Sequence, residues 1–198
     1  MSLFPRGPDE ASFERKVYLR REAPEDWKLA WVVACDRNNF HEARDTPQTS
    51  GREEFERDVK EDYFNLLGQA AMALLLREHG IQVNLNWHSL APKARELSRQ
   101  GNVTDGVSVY VPVVKAGDLI IRQARAEATP TLLCVLLRVM RYRSDDEYLR
   151  AYGWRRAHEG WEDGVAAGPQ GGTLRRAGDR IVPYQALTPM SEFLKEIR

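Results

Sequence analysis

The longest regular pattern of apolar positions lies between residues 53 and 79. Apolar side chains recur there at spacings of three and four residues, the period of an α-helix with one buried face. The pattern stops at Gly80, a residue type that often ends helices because it adopts a positive φ without steric cost. We therefore expect one long helix whose buried stripe consists of Tyr63, Leu66, Leu67, Ala70, Ala71, Leu74 and Leu75.

Shorter apolar runs after this helix predict β-strands. The run from Thr131 to Met140 is apolar almost without interruption, so we expect it in the centre of a sheet, covered on both faces. The glycine-rich stretch 165–180 is expected to be a loop, and Thr188-Pro189 suits the start of a terminal helix. Strands are predicted at 81–87, 106–115, 118–124, 131–140, 148–155 and 181–183, and a short helix at 92–99.

The N-terminal part of the chain shows a different pattern. Residues 16–20 alternate and 29–35 are apolar, so both read as strands, and the turn residues at 23–26 would let them pair as a hairpin. Polar residues from 41 to 52 predict a loop. We expect an N-terminal extension over 1–52 and an α/β core over 53–198. The fold class is α+β or α/β: a single domain with a central mixed sheet, flanked by the long helix and a C-terminal helix.

Composition places the chain among ordinary globular proteins. Its 198 residues suit one domain, and 42% hydrophobic residues support a proper core. No apolar run is long enough to span a membrane and no signal segment is recognised, so a cytoplasmic protein without a membrane partner is expected. Cys35 and Cys134 lie in apolar stretches that favour reduced, buried thiols over a disulfide.

The net charge of the chain gives little support to nucleic-acid binding. The formal net charge is zero, whereas dedicated nucleic-acid binders usually carry a basic surplus. The charges are unevenly distributed, since residues 1–65 hold 15 acids against 11 bases and residues 120–180 hold 11 arginines against 8 acids. A local basic face is therefore compatible with the composition. Arg155, Arg156, Arg175 and Arg176, close in sequence to Trp154 and Trp161, are candidate nucleic-acid-binding residues. The alternative, which the pattern favours, is a solvated arginine-rich surface with tryptophans packed in the core.

Lysine is rare in this chain, with six lysines against 23 arginines, and one of them, Lys115, ends an apolar run ten residues after Asp105. Together with the helix ending at Gly80-Ile81 and the Thr104-Asp105-Gly106-Val107 turn, this order resembles the restriction-endonuclease-like, PD-(D/E)XK fold. Patches in the C-terminal region are similar to small phage- or defence-associated members: Tyr148, Tyr152-Gly153-Trp154, Val182-Pro183-Tyr184 and Leu187-Thr188-Pro189-Met190.

The resemblance implies a metal-dependent nuclease acting on DNA, with Mg²⁺ or Mn²⁺ as cofactor. Carried over residue by residue, Asp105 and Glu61 would hold the metal, and Asp105 and Lys115 would be catalytic. The second carboxylate of the family would fall on position 113, which is valine, so a catalytically degenerate member is also implied. As structural alternatives, Asp105 beside Gly106 suits a turn, Lys115 suits a solvent-exposed hairpin end, and Glu61 suits a solvated helix face.

A second alignment of the same motif is open. It starts from Asp118 and continues into the central strand, where Leu136 and Arg138 replace the acid and the lysine. Arginine does not give up its proton in proteins, so this alignment describes a catalytically dead site. Three hypotheses follow: an active nuclease, a non-catalytic DNA-binding or protein-interaction module on the same fold, and a partner-binding protein unrelated to nucleases. A protein partner or a homodimer is compatible with the last two.

Overall fold

A computed structural model describes residues 14–42, 52–83, 85, 107–110, 117–166 and 178–197, without the side chains of residues 37–42, 52–58, 61 and 108–110. Within these ranges the chain forms six α-helices, two short 3₁₀ helices and six strands, so the mixture of α and β structure expected from the sequence is confirmed. The helix predicted at 92–99 lies outside the described residues.

The N-terminal hairpin prediction is wrong, because residues 29–35 belong to helix α2 (Pro24–Glu42), which follows the short helix α1 (Leu19–Glu22). The expected turn at 23–26 forms the start of α2 instead. Proline suits the first position of a helix, and two acids in the first turn interact favourably with its dipole. Of the strand expected at 16–20, only Val17 pairs, through an isolated bridge to Leu149.

Helix α3 (Arg52–Glu78) confirms the long helix predicted from the apolar period. Its C-terminal end is a Schellman motif, in which the Ile81 N–H donates to the Leu76 carbonyl and the Gly80 N–H to the Arg77 carbonyl, both at 3.0 Å. Gly80 adopts a φ of 78°, which explains why a glycine stands there. The predicted stripe is buried except for the half-buried Leu74.

The six strands form two three-stranded sheets rather than the one central sheet expected. In the first sheet, β3 (Leu133–Met140) lies between β1 (Val107–Tyr110), which is parallel to it, and β4 (Tyr148–Arg156), which is antiparallel. In the second, β6 (Arg180–Val182) lies between β2 (Leu119–Ile121) and β5 (Val165–Ala166). The described residues of the strand predicted at 81–87 form no strand.

Strand β3 is covered on both faces, as its apolar run predicted. Alternate residues such as Val135 and Leu137 pack against α2, α3 and the C-terminal segment. The intervening residues Cys134 and Leu136 pack against the second sheet and its two helices, α4 (Gln123–Ala128) and α5 (Ala157–Asp163). The molecule therefore has three layers, with β3 in the middle one.

Buried side chains of α2 share one core with α3, so apolar residues on both sides of position 52 pack together. The division of the chain into an extension over 1–52 and a core over 53–198 stays a prediction. No helix in the described ranges is long and apolar enough to cross a membrane.

The C-terminal segment packs closely on β4 at Gly153. A Cβ added to this glycine would lie 2.6 Å from the Leu187 Cβ and 2.9 Å from the Thr188 carbonyl oxygen. The close approach permits a bridge between Trp154 and Thr188, with hydrogen bonds of 3.0 and 2.9 Å. Thr188 is thus not the predicted helix N-cap. Two 3₁₀ turns (Tyr184–Ala186 and Met190–Glu192) precede the terminal helix α6 (Phe193–Glu196).

Candidate functional site

The first alignment of the nuclease motif, which uses Glu61, Asp105 and Lys115, falls on residues that the structure does not describe in full. Asp105 and Lys115 lie outside the described residues, and Glu61 lies in α3 without a described side chain. Their described neighbours nevertheless bear on the alignment. Strands β1 and β2 belong to different sheets, so the connection containing Lys115 does not join two paired strands, as a hairpin end would.

The described neighbours of Glu61 and Asp105 lie towards opposite ends of β3. Val107, two residues after Asp105, pairs with Leu133, the first residue of β3. Lys60, next to Glu61, has its Nζ 6.0 Å from the ring of Tyr142, which lies two residues after the end of β3. Eight strand residues span about 23 Å at 3.3 Å per step. Lys60 and Val107 are thus separated along β3, and the metal-binding role of Asp105 and Glu61 stays a prediction.

The second alignment falls on described residues, and the structure brings them together. Leu136 and Arg138 are two residues apart in β3, so their side chains leave the same face of the sheet. Asp118 stands at the entry to β2, which packs against that face. The Arg138 guanidinium reaches the residue preceding Asp118, because its Nη2 and Nε donate to the Gly117 carbonyl at 2.9 and 3.3 Å.

Two tyrosine rings enclose the Arg138 guanidinium. Its Cζ lies 4.4 Å from the Tyr152 ring centroid and 4.6 Å from that of Tyr184. The rings meet edge to face, with centroids 6.5 Å apart. Arg138 is only 8% exposed, and among the described residues no carboxylate lies within ion-pairing distance of it. The charge is therefore stabilised by one carbonyl and two aromatic faces, at a cost in desolvation.

A second cation, Arg150, and a partly exposed aromatic ring, that of Tyr184, lie near Arg138. Arg150 is the cross-strand partner of Arg138 and lies 5.9 Å from the Tyr152 ring. Tyr184 is 41% exposed, and its backbone N–H donates to the Asp118 Oδ1 at 3.1 Å. The extra residue Tyr152 forms a β-bulge, since Leu136 pairs with Gly153 and Leu137 with Ala151. Such a bulge redirects its side chain. We call Asp118, Arg138, Arg150, Tyr152 and Tyr184 the Arg138 cluster.

The Arg138 cluster does not fit a divalent cation. Mg²⁺ and Mn²⁺ prefer several oxygen ligands, often carboxylates. Here Asp118 is the one acid, Leu136 is fully buried and apolar, and Arg138 adds a positive charge. Across the described ranges, no group of three His, Cys, Asp or Glu residues is suited to hold a metal ion.

The arginines predicted to bind nucleic acid are paired with acids where they are described. Arg155 Nη2 lies 2.9 Å from Asp163 Oδ2. Arg156 forms ion pairs with Glu159 and Glu196. A phosphate would have to compete with these carboxylates. Arg175 and Arg176 lie outside the described residues, and their predicted role stays a prediction.

Tryptophan and cysteine are two further residue types that were expected in the core. Trp154 is buried, and its indole N–H donates to the Pro189 carbonyl at 3.2 Å, so it does not stack bases. Both cysteines are free, and Cys134 is buried as predicted, whereas Cys35 is half-buried. Burial raises the pKa of Cys134 to about 11, so the thiol is protonated at neutral pH and is a poor nucleophile.

Sequence reasoning missed the Arg138 cluster as a unit. The arginine within an otherwise apolar strand was visible, and so were Tyr152 and Tyr184. Their convergence depends on the bulge in β4 and on the segment after β6, which no local pattern indicates.

No family model, no curated protein and no solved structure matches the chain.

Proposed function

We propose that this chain is a nuclease-like protein that binds DNA and has lost the catalytic site of the restriction-endonuclease-like fold. One observation carries the proposal. The positions of the second motif alignment lie close together. At the position that this alignment assigns to the lysine of the resembled fold stands a buried arginine, which contacts the Gly117 carbonyl and two tyrosine rings.

The chemistry of these residues supports a non-catalytic role. The water-activating lysine of such nucleases works through a group that can exchange a proton, whereas arginine remains charged. With Leu136 at the acid position, the site also lacks a second carboxylate. Asp118 instead has a structural role, because its carboxylate accepts a hydrogen bond from the Tyr184 N–H.

DNA binding is supported by the accessible edge of the Arg138 cluster. Arg150 is half-buried and Tyr184 is exposed, so a cation and an aromatic ring are available together. Phosphate contacts by arginine and stacking on tyrosine are the interactions that proteins use for nucleic acids. The ion-paired Arg155 and Arg156 contribute less than the sequence suggested.

An active nuclease is the second candidate, and it depends on Asp105 and Lys115. In that case Asp105 binds Mg²⁺ or Mn²⁺ and Lys115 orients the attacking water, as the resemblance implies. The support is the rarity of lysine in a chain that places one at this position. A protein-interaction module on the same fold, including a homodimer, is the third.

A paired cleavage and binding experiment separates the three candidates. The full chain is incubated with supercoiled plasmid and single-stranded DNA in Mg²⁺ and Mn²⁺, beside Lys115→Ala and Asp105→Ala variants. We expect no cleavage, and a DNA mobility shift that weakens steeply as salt rises. Arg150→Glu should weaken that shift, because it reverses a charge of the proposed site. Lys115→Ala removes a single positive charge that the proposal does not use, so it should change DNA binding by no more than about twofold.

Two results would contradict the proposal. Metal-dependent cleavage that disappears in Lys115→Ala would establish the active nuclease. The absence of any shift at low salt would leave the protein-interaction module, which sedimentation of the purified chain would then test as a homodimer.

A further inference from the structure

A second group of cations and aromatic rings lies around the connection between β3 and β4. Tyr142 is 38% exposed and rests on the buried Phe64, with ring centroids 5.0 Å apart. The Lys60 Nζ lies 6.0 Å from the Tyr142 ring and the Arg143 Cζ 5.3 Å from it. Arg141 is exposed beside them. We call Lys60, Arg141, Tyr142 and Arg143 the turn surface.

More cations and rings continue this surface towards the N-terminal segment. The Arg21 guanidinium lies 5.3 Å from the Tyr18 ring, and Tyr18 packs on Tyr148 at 5.6 Å. Lys16 Nζ lies 5.0 Å from the Tyr148 ring. Arg21 and Arg141 share one carboxylate, that of Asp146, at 3.1 and 3.5 Å. The same turn also carries Asp145, Asp146 and the buried Glu147, so the cations next to the Tyr142 ring, and not a basic surplus, distinguish this surface.

The backbone of the turn surface carries a conformational cost. Arg141 has a φ of 52° and Arg143 a φ of 65°, in the left-handed region where glycine is favoured. Non-glycine residues there cost on the order of 1 kcal/mol each. Glu147, which is buried, fixes the turn by accepting the Arg143 N–H at 2.8 Å. The turn thus presents two arginine side chains at positions where glycine would be more stable.

We propose that the turn surface binds single-stranded nucleic acid, with an unpaired base stacked on Tyr142 and phosphates bound by Lys60 and Arg143, the two cations beside its ring. Exposed aromatic rings with adjacent cations are how single strands are bound without sequence preference. The exposed Arg143 side chain moves from the ring to a phosphate when a base takes its place. A duplex is bound less well, because its bases are stacked internally.

This inference rests on the proposed function only in that both concern nucleic acid, since the turn surface and the Arg138 cluster share no residue. The cluster lies on the face of β3 opposite to α3, whereas Lys60 belongs to α3 itself. The two surfaces can therefore be altered separately.

The test measures fluorescence anisotropy of a labelled oligothymidylate and a labelled oligouridylate of about 15 nucleotides. A mixed-sequence duplex of the same length and a labelled poly-glutamate peptide are titrated in parallel. The full chain is compared with Tyr142→Ala, Tyr142→Phe, Arg143→Gly and Arg122→Ala. Arg122 is an exposed arginine between β2 and α4 and serves as the control for a change in net charge. Thermal unfolding of each variant confirms that it is folded.

We expect Tyr142→Ala to weaken single-strand binding by about tenfold, since one stacked base contributes about 1–3 kcal/mol. Tyr142→Phe should bind as the unaltered chain does, because the stacking face is retained. Arg143→Gly should weaken binding and flatten its salt dependence, while Arg122→Ala should change it less than about twofold.

The possible failures are distinct. If single strands bind but Tyr142→Ala binds them equally well, the inference is wrong and the proposed DNA-binding function stands. Binding to poly-glutamate but to no nucleic acid would overturn both and identify an acidic protein partner. Binding to single strands alone, lost in Tyr142→Ala, would support the turn surface and contradict the Arg138 cluster as a DNA-binding site.

Discussion

Arg138 and Arg143 place the same functional group against tyrosine rings in opposite settings. The Arg138 guanidinium is buried between Tyr152 and Tyr184, at 4.4 and 4.6 Å, and donates to a carbonyl. The Arg143 guanidinium is exposed, 5.3 Å from one ring. A cation–aromatic contact is strengthened when water is excluded and is weak in solvent. The buried arginine is therefore expected to stabilise the fold, and the exposed one to remain available to a ligand.

The largest expected effect is at the buried arginine. Arg138→Ala should lower the free energy of unfolding by about 3 kcal/mol, because it removes a packed stem and leaves the Gly117 carbonyl without its donor. Urea denaturation measures the change. Arg143→Ala, the matched variant, should stay within about 0.5 kcal/mol. Equal effects of the two substitutions would contradict the distinction between the clusters.

The second effect concerns Tyr63, which lies below the turn surface and contacts Phe64 with ring centroids 5.6 Å apart. Burial, helped by the charge of Glu147, raises the pKa of Tyr63 to about 12, against 10 in the unfolded chain. The unfolded state thus ionises first. The contribution of Tyr63 to the free energy of unfolding is therefore complete below pH 10. Between pH 10 and 12 the free energy of unfolding falls, by up to about 1.4 kcal/mol per pH unit.

Denaturation curves from pH 9 to 12 for the unaltered chain and Tyr63→Phe test this shift. The stability difference between the two proteins should be constant up to pH 10 and then move in favour of the phenylalanine variant. Parallel curves throughout this range would show that Tyr63 ionises as it does in the unfolded chain.

A smaller difference in stability is expected between variants of two aspartates, Asp118 in the Arg138 cluster and Asp146 beside the turn surface. Asp118→Ala removes the acceptor of the Tyr184 N–H and should cost about 1 kcal/mol. Asp146→Ala removes ion pairs to Arg21 and Arg141 whose side chains are mostly exposed, and should cost less than about 0.5 kcal/mol. Chemical denaturation at low salt measures both, and a larger loss at Asp146 would reverse the comparison.

The smallest expected effect on stability is neutral or slightly stabilising. Arg143→Gly should leave stability unchanged or raise it by up to about 0.5 kcal/mol, because relief of the left-handed backbone offsets the lost exposed contact. Arg122→Gly is the control, since Arg122 has a φ of −80° and gains nothing from glycine. It should lose a few tenths of a kcal/mol or more in thermal unfolding. Destabilisation at Arg143 exceeding that at Arg122 would show that the turn depends on the arginine for folding.

Local signals in the sequence predicted the elements that carry a long, regular pattern. Helix α3, its end at Gly80 and the doubly covered strand β3 follow from period and burial alone. The apolar residues 29–35 were misassigned because a short apolar run fits a strand or a helix equally well. In the structure they belong to α2, whose buried face packs on α3.

The candidate sites were less predictable than the elements. Asp118, Leu136 and Arg138 were found as one alignment of a motif, but the contacts with Tyr152 and Tyr184 were not. The turn surface was missed, although Arg141-Tyr142-Arg143 alternates cation and ring in the sequence. Lys60, about 80 positions earlier, gives no local signal of its proximity to Tyr142.

The sequence by itself determined the long helix α3 with its buried stripe and its end at Gly80, and the apolar strand β3 that is covered on both faces. Those properties depend on side-chain polarity and spacing within one element. Only the tertiary structure decided that the strands divide between two sheets, that one arginine is buried between two tyrosines, and that another is held exposed on a left-handed turn. These depend on pairing, bulges and packing between segments distant in the chain, which local propensities do not encode.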